Sequence, residues 1–260
     1  QLMFDVNYDF FLIENNFKEI EEVKSEKIQG DTSSKLPLVS IVIPTYKRVS
    51  TLRETLDSAI RQTGNHNYEI LVVDNNPERG DETELLMAEY VSVKNLLYFK
   101  NTANIGMAGN WSRCSELAHG EWVVLIHDDD LLVNNYLDEI EPCLINCVDG
   151  LFVCPKTFID GEPLPTLNNS ERMEIMKITL MYQYLFPILC ASGNALRKSK
   201  ILEYGGYTSK TYAPDFFFSK MVYYSNVYMT NKSLIYYRKG LNESTKTEVM
   251  DKLNYINHYF

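Results

Sequence analysis

The chain has 260 residues, 45% of them apolar and 12% aromatic, which excludes a disordered chain and provides enough material for one α/β domain with a large core, or two small ones. Its 25 basic residues against 35 acidic ones leave a net charge of −10, which argues against nucleic acid as a partner. No apolar run approaches the roughly 20 residues of a membrane-spanning helix, and no signal-peptide pattern is present, so a cytoplasmic protein is expected.

The first residue is glutamine, which fits numbering that starts inside a longer chain. The cysteines, Cys114, Cys143, Cys147, Cys154 and Cys190, contain no CxxC pair and read as reduced thiols. Residues 1–35 form an N-terminal extension and linker. Phe10, Ile13, Phe17, Ile20 and Val23 fall near helical spacing, which predicts an amphipathic helix over 8–28. Seven acids and three lysines between 1 and 29 give that stretch −4, the wrong sign for an anionic membrane. Packing on the domain or on a partner subunit, as in a homo-oligomer, is the expectation.

The main domain is expected over 36–240. LVSIVIP, residues 38–44, reads as a buried strand closed by Pro44. Thr51 and Glu54 suggest a capping box for a helix with Leu52, Leu56, Ala59 and Ile60 on one face. EILVVDNN gives a second strand ending in Asp74, GDETELLMAEYV a helix, LLYFKN a third strand and MAGNWSRCSELA a third helix. This alternation predicts a mostly parallel, doubly wound sheet flanked by helices. No strand is followed by GxGxxG, so a dinucleotide fold of the usual kind is not expected.

GEWVVLIHDDD is the most informative stretch. Trp122 to Ile126 are continuously apolar, as in a strand buried on both faces, and the run breaks into His127, Asp128, Asp129 and Asp130. The acids would gather at the strand's carboxyl end, where ligands bind in an open α/β sheet. Adjacent carboxylates need a compensating cation or strong donors, and hard oxygen ligands point to Mg²⁺ or Mn²⁺. The alternative is that Asp130 caps the helix in LLVNNYLDEIEPCL and the other two are solvated loop acids.

VSIVIPTYKR, EILVVDNN, NTANIGMAGNW, VVLIHDDDLL and APDFFFSKM resemble, in order and spacing, the family 2 glycosyltransferases of the nucleotide-sugar-binding GT-A fold. The resemblance runs from about Leu38 to about Arg238. It implies that Pro44, Thr45, Tyr46, Arg48 and Asp74 hold the nucleotide, with Asp74 accepting from a base N–H as uracil offers. It places Asn104, Gly106 and Asn110 along the nucleotide side of the cleft, Asp128 at the ribose or beside the metal, and Asp129 as the direct ligand of Mg²⁺ or Mn²⁺. The purely structural reading of Asn104 and Gly106 is a turn, and of Asn110 a surface helical residue. His127 stands where the family often has its first aspartate.

Farther on, LFVCPKTFID suggests a strand, and a helix is predicted over about 170–186. ASGNALRKS and EYGGY resemble the family's acceptor-pocket segment and the double-glycine turn after it. Gly193 and Asn194 would approach the donor sugar, unless Gly193 only relieves crowding. In APDFFFSKM the resemblance makes Asp215 the catalytic base, with Pro214 at the position of a first acid; a first-turn acid favoured by the helix dipole is the alternative. SNVYMTNKSLIYYRKG reads as a last strand, ending in Arg238 and Lys239 as either pyrophosphate contacts or solvated charges. The late family histidine is missing, the next being His258, and residues 241–260 are expected to form a helical tail.

The expected reaction is metal-dependent, inverting transfer from a nucleoside diphosphate sugar, a UDP-sugar favoured, to a saccharide or lipid-linked saccharide in bacterial surface polysaccharide synthesis. Membrane association would be peripheral. The rivals are an inactive nucleotide-sugar-binding or regulatory subunit of the same fold and a nucleotidyltransferase, although PTYKRVST lacks the glycine-rich phosphate loop of the latter.

Overall fold

The structure is a computed structural model that describes residues 9, 11–32, 35–145, 149–167, 172–186, 190–210 and 217–240. The order begins with a 3₁₀ turn at Asn16–Glu19 and continues through β1 (Ser25–Gln29), β2 (Val39–Thr45), α1 (Val49–Ile60), β3 (Tyr68–Asp74), α2 (Glu82–Ala88) and β4 (Leu96–Asn101). Next come α3 (Gly106–Leu117), β5 (Trp122–Leu125), β6 (Leu131–Leu132), α4 (Tyr136–Leu144) and β7 (Gly150–Ile159). The chain then passes through β8 (Ile175–Lys177), α5 (Leu180–Leu185), β9 (Asn194–Arg197), α6 (Lys198–Glu203), α7 (Phe217–Tyr224) and β10 (Val227–Lys239).

Among the described residues the strands join in one sheet, in the order β1-β4-β3-β2-β5-β9-β7-β10-β6 with β8 beside β10. β4, β3, β2 and β5 are parallel neighbours, as their apolar runs predict. Successive side chains in these strands feed opposite faces: Ile41, Ile43, Ile70, Val72 and Val124 pack under α1, α2 and α4, while Val42, Leu71, Val73 and Val123 pack with α3, α6 and α7. The second half of the sheet is mixed, because β9 runs antiparallel to β5 and β7 while β10 is parallel to β7. The architecture is α/β, with the parallel half carrying the strand ends of interest.

Three local expectations are corrected. The helix over 8–28 is replaced by the 3₁₀ turn and by β1, which covers the free edge of β4. The helical spacing there serves an extended strap instead: Asn16 donates from its backbone and side chain to Gly205 O, at 2.9 and 3.1 Å, while Phe17 packs on Gly206. A Cβ on Gly205, whose φ is +81°, would lie 1.7 Å from Glu14 O, so the double glycine accommodates the strap. Lys220 and Tyr224 of α7 donate to the carbonyls of Leu12 and Phe11.

The proposed capping box also fails, since α1 starts at Val49 and Thr51 turns its hydroxyl back to Arg48 O at 3.3 Å. Leu52, Leu56 and Ala59 are nevertheless buried as expected. The helix predicted near 170–186 is, where described, β8 followed by the short α5, because Ile175–Lys177 pairs with Tyr228–Thr230 along the edge of β10. Asp215, Pro214, Cys147, His258 and the tail 241–260 lie outside the described residues. The four described cysteines are free thiols. No helix among the described residues is long and apolar enough to cross a membrane.

Candidate active site

The carboxyl ends of β2, β3 and β5 lie side by side, and two networks of buried charge occupy that edge. The first surrounds Asp74, which is fully buried and pairs in register with Lys100 on β4. Lys100 Nζ donates to Asp74 Oδ2 at 2.7 Å and to Asp81 Oδ1 at 2.9 Å, and Tyr98 OH donates to Asp74 Oδ2 at 3.0 Å. The backbone N–H of Asn76 donates to Asp74 Oδ1 at 2.9 Å. Burial raises the Asp74 carboxyl above its ordinary range, against the pull of Lys100, and drives the Tyr98 phenol strongly upward. The carboxylate predicted to meet a base N–H is here closed inside the protein.

The neighbouring amides form a second layer of the same kind. Asn75 donates to Asn104 Oδ1 at 2.8 Å and accepts from Asn101 and from Ile105 N–H, while Asn110 donates to Val73 O and accepts from Asn101. Asn110 is therefore a buried structural amide and not a surface residue. Asn104 and Gly106 are exposed where α3 begins. Gly106 has φ +73° with open space beside it, so its backbone conformation, not crowding, requires glycine.

The second network is the acidic cluster. Thr45 Oγ1 donates to Asp128 Oδ2 at 2.8 Å. Arg48 spans two acids, with Nη1 3.2 Å from Asp128 Oδ1 and Nη2 2.6 Å from Asp129 Oδ2. Lys47, at φ +53°, reverses the chain so that Arg48 faces back over β5, while Tyr46 remains exposed beside it. Burial pushes the Asp128 carboxyl up to about 6, against Arg48 and the Thr45 hydroxyl, and Asp129 pushes it further in the same direction.

Asp130 is fully buried and caps no helix, because α4 starts only at Tyr136. Its Oδ1 accepts from Arg238 N–H at 2.9 Å, and its Oδ2, buried without a hydrogen-bond partner, lies 3.5 Å from His127 Nδ1. Of the two expectations for Arg238, a solvated charge is corrected, because the residue is only 2% exposed. Its Nε donates to Asp129 O at 2.8 Å, and its guanidinium pairs with Asp160 and, at 2.6 Å, with Glu54. The antiparallel pairing of β6 with β10 places it there. Thr55 and Ser58 of α1 hold the same loop, through Asp130 O and Leu132 N–H. In this bonded network five carboxylates meet two guanidinium groups.

His127, Asp129 and Asp130 each offer a ligand atom within 4.8 Å of the others, a set able to hold one small cation. The His127 ring stacks on Trp111 at 5.1 Å, and the His127 backbone N–H donates to Ser192 Oγ. Gly193, at φ +79°, would place a Cβ 2.3 Å from Ile235, so its backbone geometry and crowding explain it. Asn194 holds Val153 N–H and Cys190 O. A cavity of about 600 Å³ lies at the opposite, amino-terminal edge, between Leu36–Leu38, His119–Glu121 and Lys198, and contains none of the residues predicted for the site. Buried charge is concentrated instead at the acids of the opposite edge.

The family profile described as Glycosyl transferase family 2 matches residues 40–205, which include all of the first network and the second apart from Arg238. The chain belongs to glycosyltransferase family 2. Among sequence relatives, an uncharacterized glycosyltransferase of Rickettsia typhi is 30% identical over 158 residues, covering 59% of this chain and 46% of the relative. The O-antigen biosynthesis protein RfbC of Myxococcus xanthus is 32% identical over 127 residues, covering 48% and 10%. The matches span less than half the length of these relatives.

Among solved structures, S. aureus TarS 1-349 in complex with UDP-GlcNAc superposes with a TM-score of 0.65 at 19% identity, covering 84% of this chain and 65% of TarS. The mannosyltransferase PcManGT of Pyrobaculum calidifontis, in complex with GDP-Man and Mn²⁺, gives 0.59 at 16% identity, covering 88% and 63%. These likenesses identify the GT-A fold of the family 2 chain.

Sequence reasoning missed Lys100, Tyr98 and the true place of Arg238. A signal for the first two was present: Tyr98 and Lys100 are two apart in a strand, hence on one face, and Lys100 closes an otherwise apolar run beside a strand ending in aspartate.

Proposed function

We propose that the protein is a metal-dependent, inverting glycosyltransferase that moves a sugar from a nucleoside diphosphate sugar, a UDP-sugar in the first instance, to a saccharide or lipid-linked saccharide. The observation that carries this reading is the under-compensated carboxylate cluster of Asp128, Asp129 and Asp130 at the carboxyl ends of the parallel strands. The UDP-GlcNAc, GDP-Man and Mn²⁺ complexes of proteins with the same fold support it. The O-antigen protein among the relatives supports a role in surface polysaccharide synthesis.

The residues present fit a Mg²⁺ or Mn²⁺ ion: Asp129 and Asp130, with its unsatisfied Oδ2, would supply oxygens, and His127 a nitrogen. A cation held there would neutralise charge on the departing diphosphate. Thr45 holds Asp128 in place, while Arg238 and α1 fix the backbone of the loop. The acceptor hydroxyl oxygen forms a bond to the anomeric carbon as the bond from that carbon to the β-phosphate oxygen breaks. Its proton passes to the Asp215 carboxylate, and one displacement inverts the centre.

The test is calorimetric binding of UDP, GDP and TDP with and without Mn²⁺, followed by NMR of the product anomer. Tight binding of one diphosphate that needs Mn²⁺ and is lost in Asp129→Ala, with inversion at the product, is expected. Absence of metal-dependent binding to all three would overturn the reading. Binding without transfer, unchanged by Asp215→Asn, would point to a nucleotide-sugar-binding subunit.

A further inference from the structure

Arg48 sits where a cation would be expected. One guanidinium spans Asp128 and Asp129 at 3.2 and 2.6 Å, both acids are buried, and Asp129 also belongs to the only three-residue set of potential metal ligands among the described residues. A divalent ion drawn to Asp129 would meet that positive charge within hydrogen-bonding distance, so the two compete for the same acid.

The arrangement also shows which partner is able to leave. The Arg48 backbone is fixed, since its carbonyl accepts from Leu52 N–H at 3.0 Å and from Thr51 Oγ1 at 3.3 Å. Asp128 and Asp129 are held in the loop that α1 and Arg238 pin. The Arg48 side chain makes no capping bond to α1 and is 26% exposed, with Asp128 and Asp129 at 7% and 4%. Its charge is carried at the end of a long flexible stem, so the guanidinium can change partners by side-chain rotation while the backbone stays in place.

We propose that Arg48 is an internal counter-ion that gives way to the divalent cation and then turns its guanidinium to the donor diphosphate. The inference deepens the function proposed above and rests on it. Two consequences follow from charge alone. Without nucleotide, the cation has to displace a bidentate charge-assisted contact, so it binds weakly. With a diphosphate present, the displaced guanidinium gains a new anionic partner, so cation and nucleotide strengthen each other's binding, reciprocally. The site then carries a compensating positive charge in every state.

The experiment measures Mn²⁺ binding, by calorimetry and by the electron paramagnetic resonance signal of free Mn²⁺, to the full chain and to Arg48→Met and Arg48→Lys, each with and without UDP. In the wild-type protein UDP should tighten Mn²⁺ binding on the order of tenfold. Arg48→Met should bind Mn²⁺ alone more tightly than wild type, and UDP should no longer tighten it. Arg48→Lys, which keeps one charge but cannot span both acids, should fall between the two and decides the matter if the methionine variant does not fold. Unchanged or weaker Mn²⁺ binding in the variants, with the UDP effect intact, would make Arg48 a static structural partner and overturn the inference while leaving the proposed function standing. Failure of the wild-type chain to bind Mn²⁺ even with UDP would overturn both.

Discussion

Asp74 ends β3 and Asp128 follows the end of β5, with β2 between them, so two acids of the same sequence type stand one strand apart on each side of a common neighbour. Their surroundings differ in how the negative charge is answered. Asp74 meets a lysine on the adjacent strand that is itself only 2% exposed, together with a buried phenol and a backbone N–H. Asp128 and Asp129 meet an arginine from a loop, far more exposed than they are. A lysine that is only 2% exposed is enclosed by its neighbours, whereas the arginine at 26% already reaches solvent. The first pairing is enclosed by its neighbours, and the second is the one on which the proposed function draws.

The comparison breaks most readily at Lys100. Lys100→Met leaves Asp74 and part of Asp81 without their cation and should lower the unfolding free energy by about 3–5 kcal/mol, read from urea denaturation. Neither Mn²⁺ nor UDP should restore it. A variant of wild-type stability with weakened nucleotide binding would instead return Asp74 to the role of base contact. On the other side, Asp129→Asn should cost on the order of 10²–10³ in kcat with little change in the denaturation midpoint, because the amide still accepts from Arg48. A midpoint that falls as far as that of Lys100→Met would erase the distinction.

Tyr98→Phe sharpens the same contrast at smaller scale: it removes one donor to a buried carboxylate and should cost about 1.5–3 kcal/mol, visible as a lower thermal midpoint with unchanged Mn²⁺ affinity. The smallest effect is expected at a third charged cluster, where His66 bridges Asp138 at 2.8 Å and Glu141 at 2.9 Å between the loop after α1 and α4. Burial would lower the imidazole, but the Glu141 and Asp138 carboxylates beside it outweigh that and raise it above 6.5. Since the folded value lies above the unfolded one, the clamp is fully present below pH 6.5 and is lost as the pH rises through the folded value. His66→Gln should flatten the stability profile in that window, and an unaltered profile would show that the bridge is energetically silent.

The parallel half of the sheet was legible because its strands are buried on both faces and so read as unbroken apolar runs: IVI, ILVV, LLYF and WVVL. The acidic loop was legible because three carboxylates at a strand end demand compensation. What answers them was not. Arg48 is one charge in a polar turn, and Arg238 ends a tyrosine-rich strand 108 residues beyond the aspartate it holds. Sequence spacing cannot bring those together; the β6–β10 pairing does. β1 escaped notice because SEKIQ is polar, as an edge strand with partly exposed positions tends to be. The helix predicted over 8–28 failed because the apolar spacing does not mark one buried face: Ile20 is buried, Phe17 and Val23 are half-buried, and Ile13 is exposed.

That strap has a kinetic consequence. Asn16 closes on Gly205 across 189 residues, so in a chain emerging from the ribosome the strap waits for almost the whole domain before its partner exists. The entropy of closing so long a loop rises only logarithmically with its length, so the equilibrium cost is modest. The delay belongs to the rate, since contacts of such separation form late. Until the double-glycine turn has been made, the strap lacks its seat, and its protection from amide exchange would report that the far end of the domain has folded.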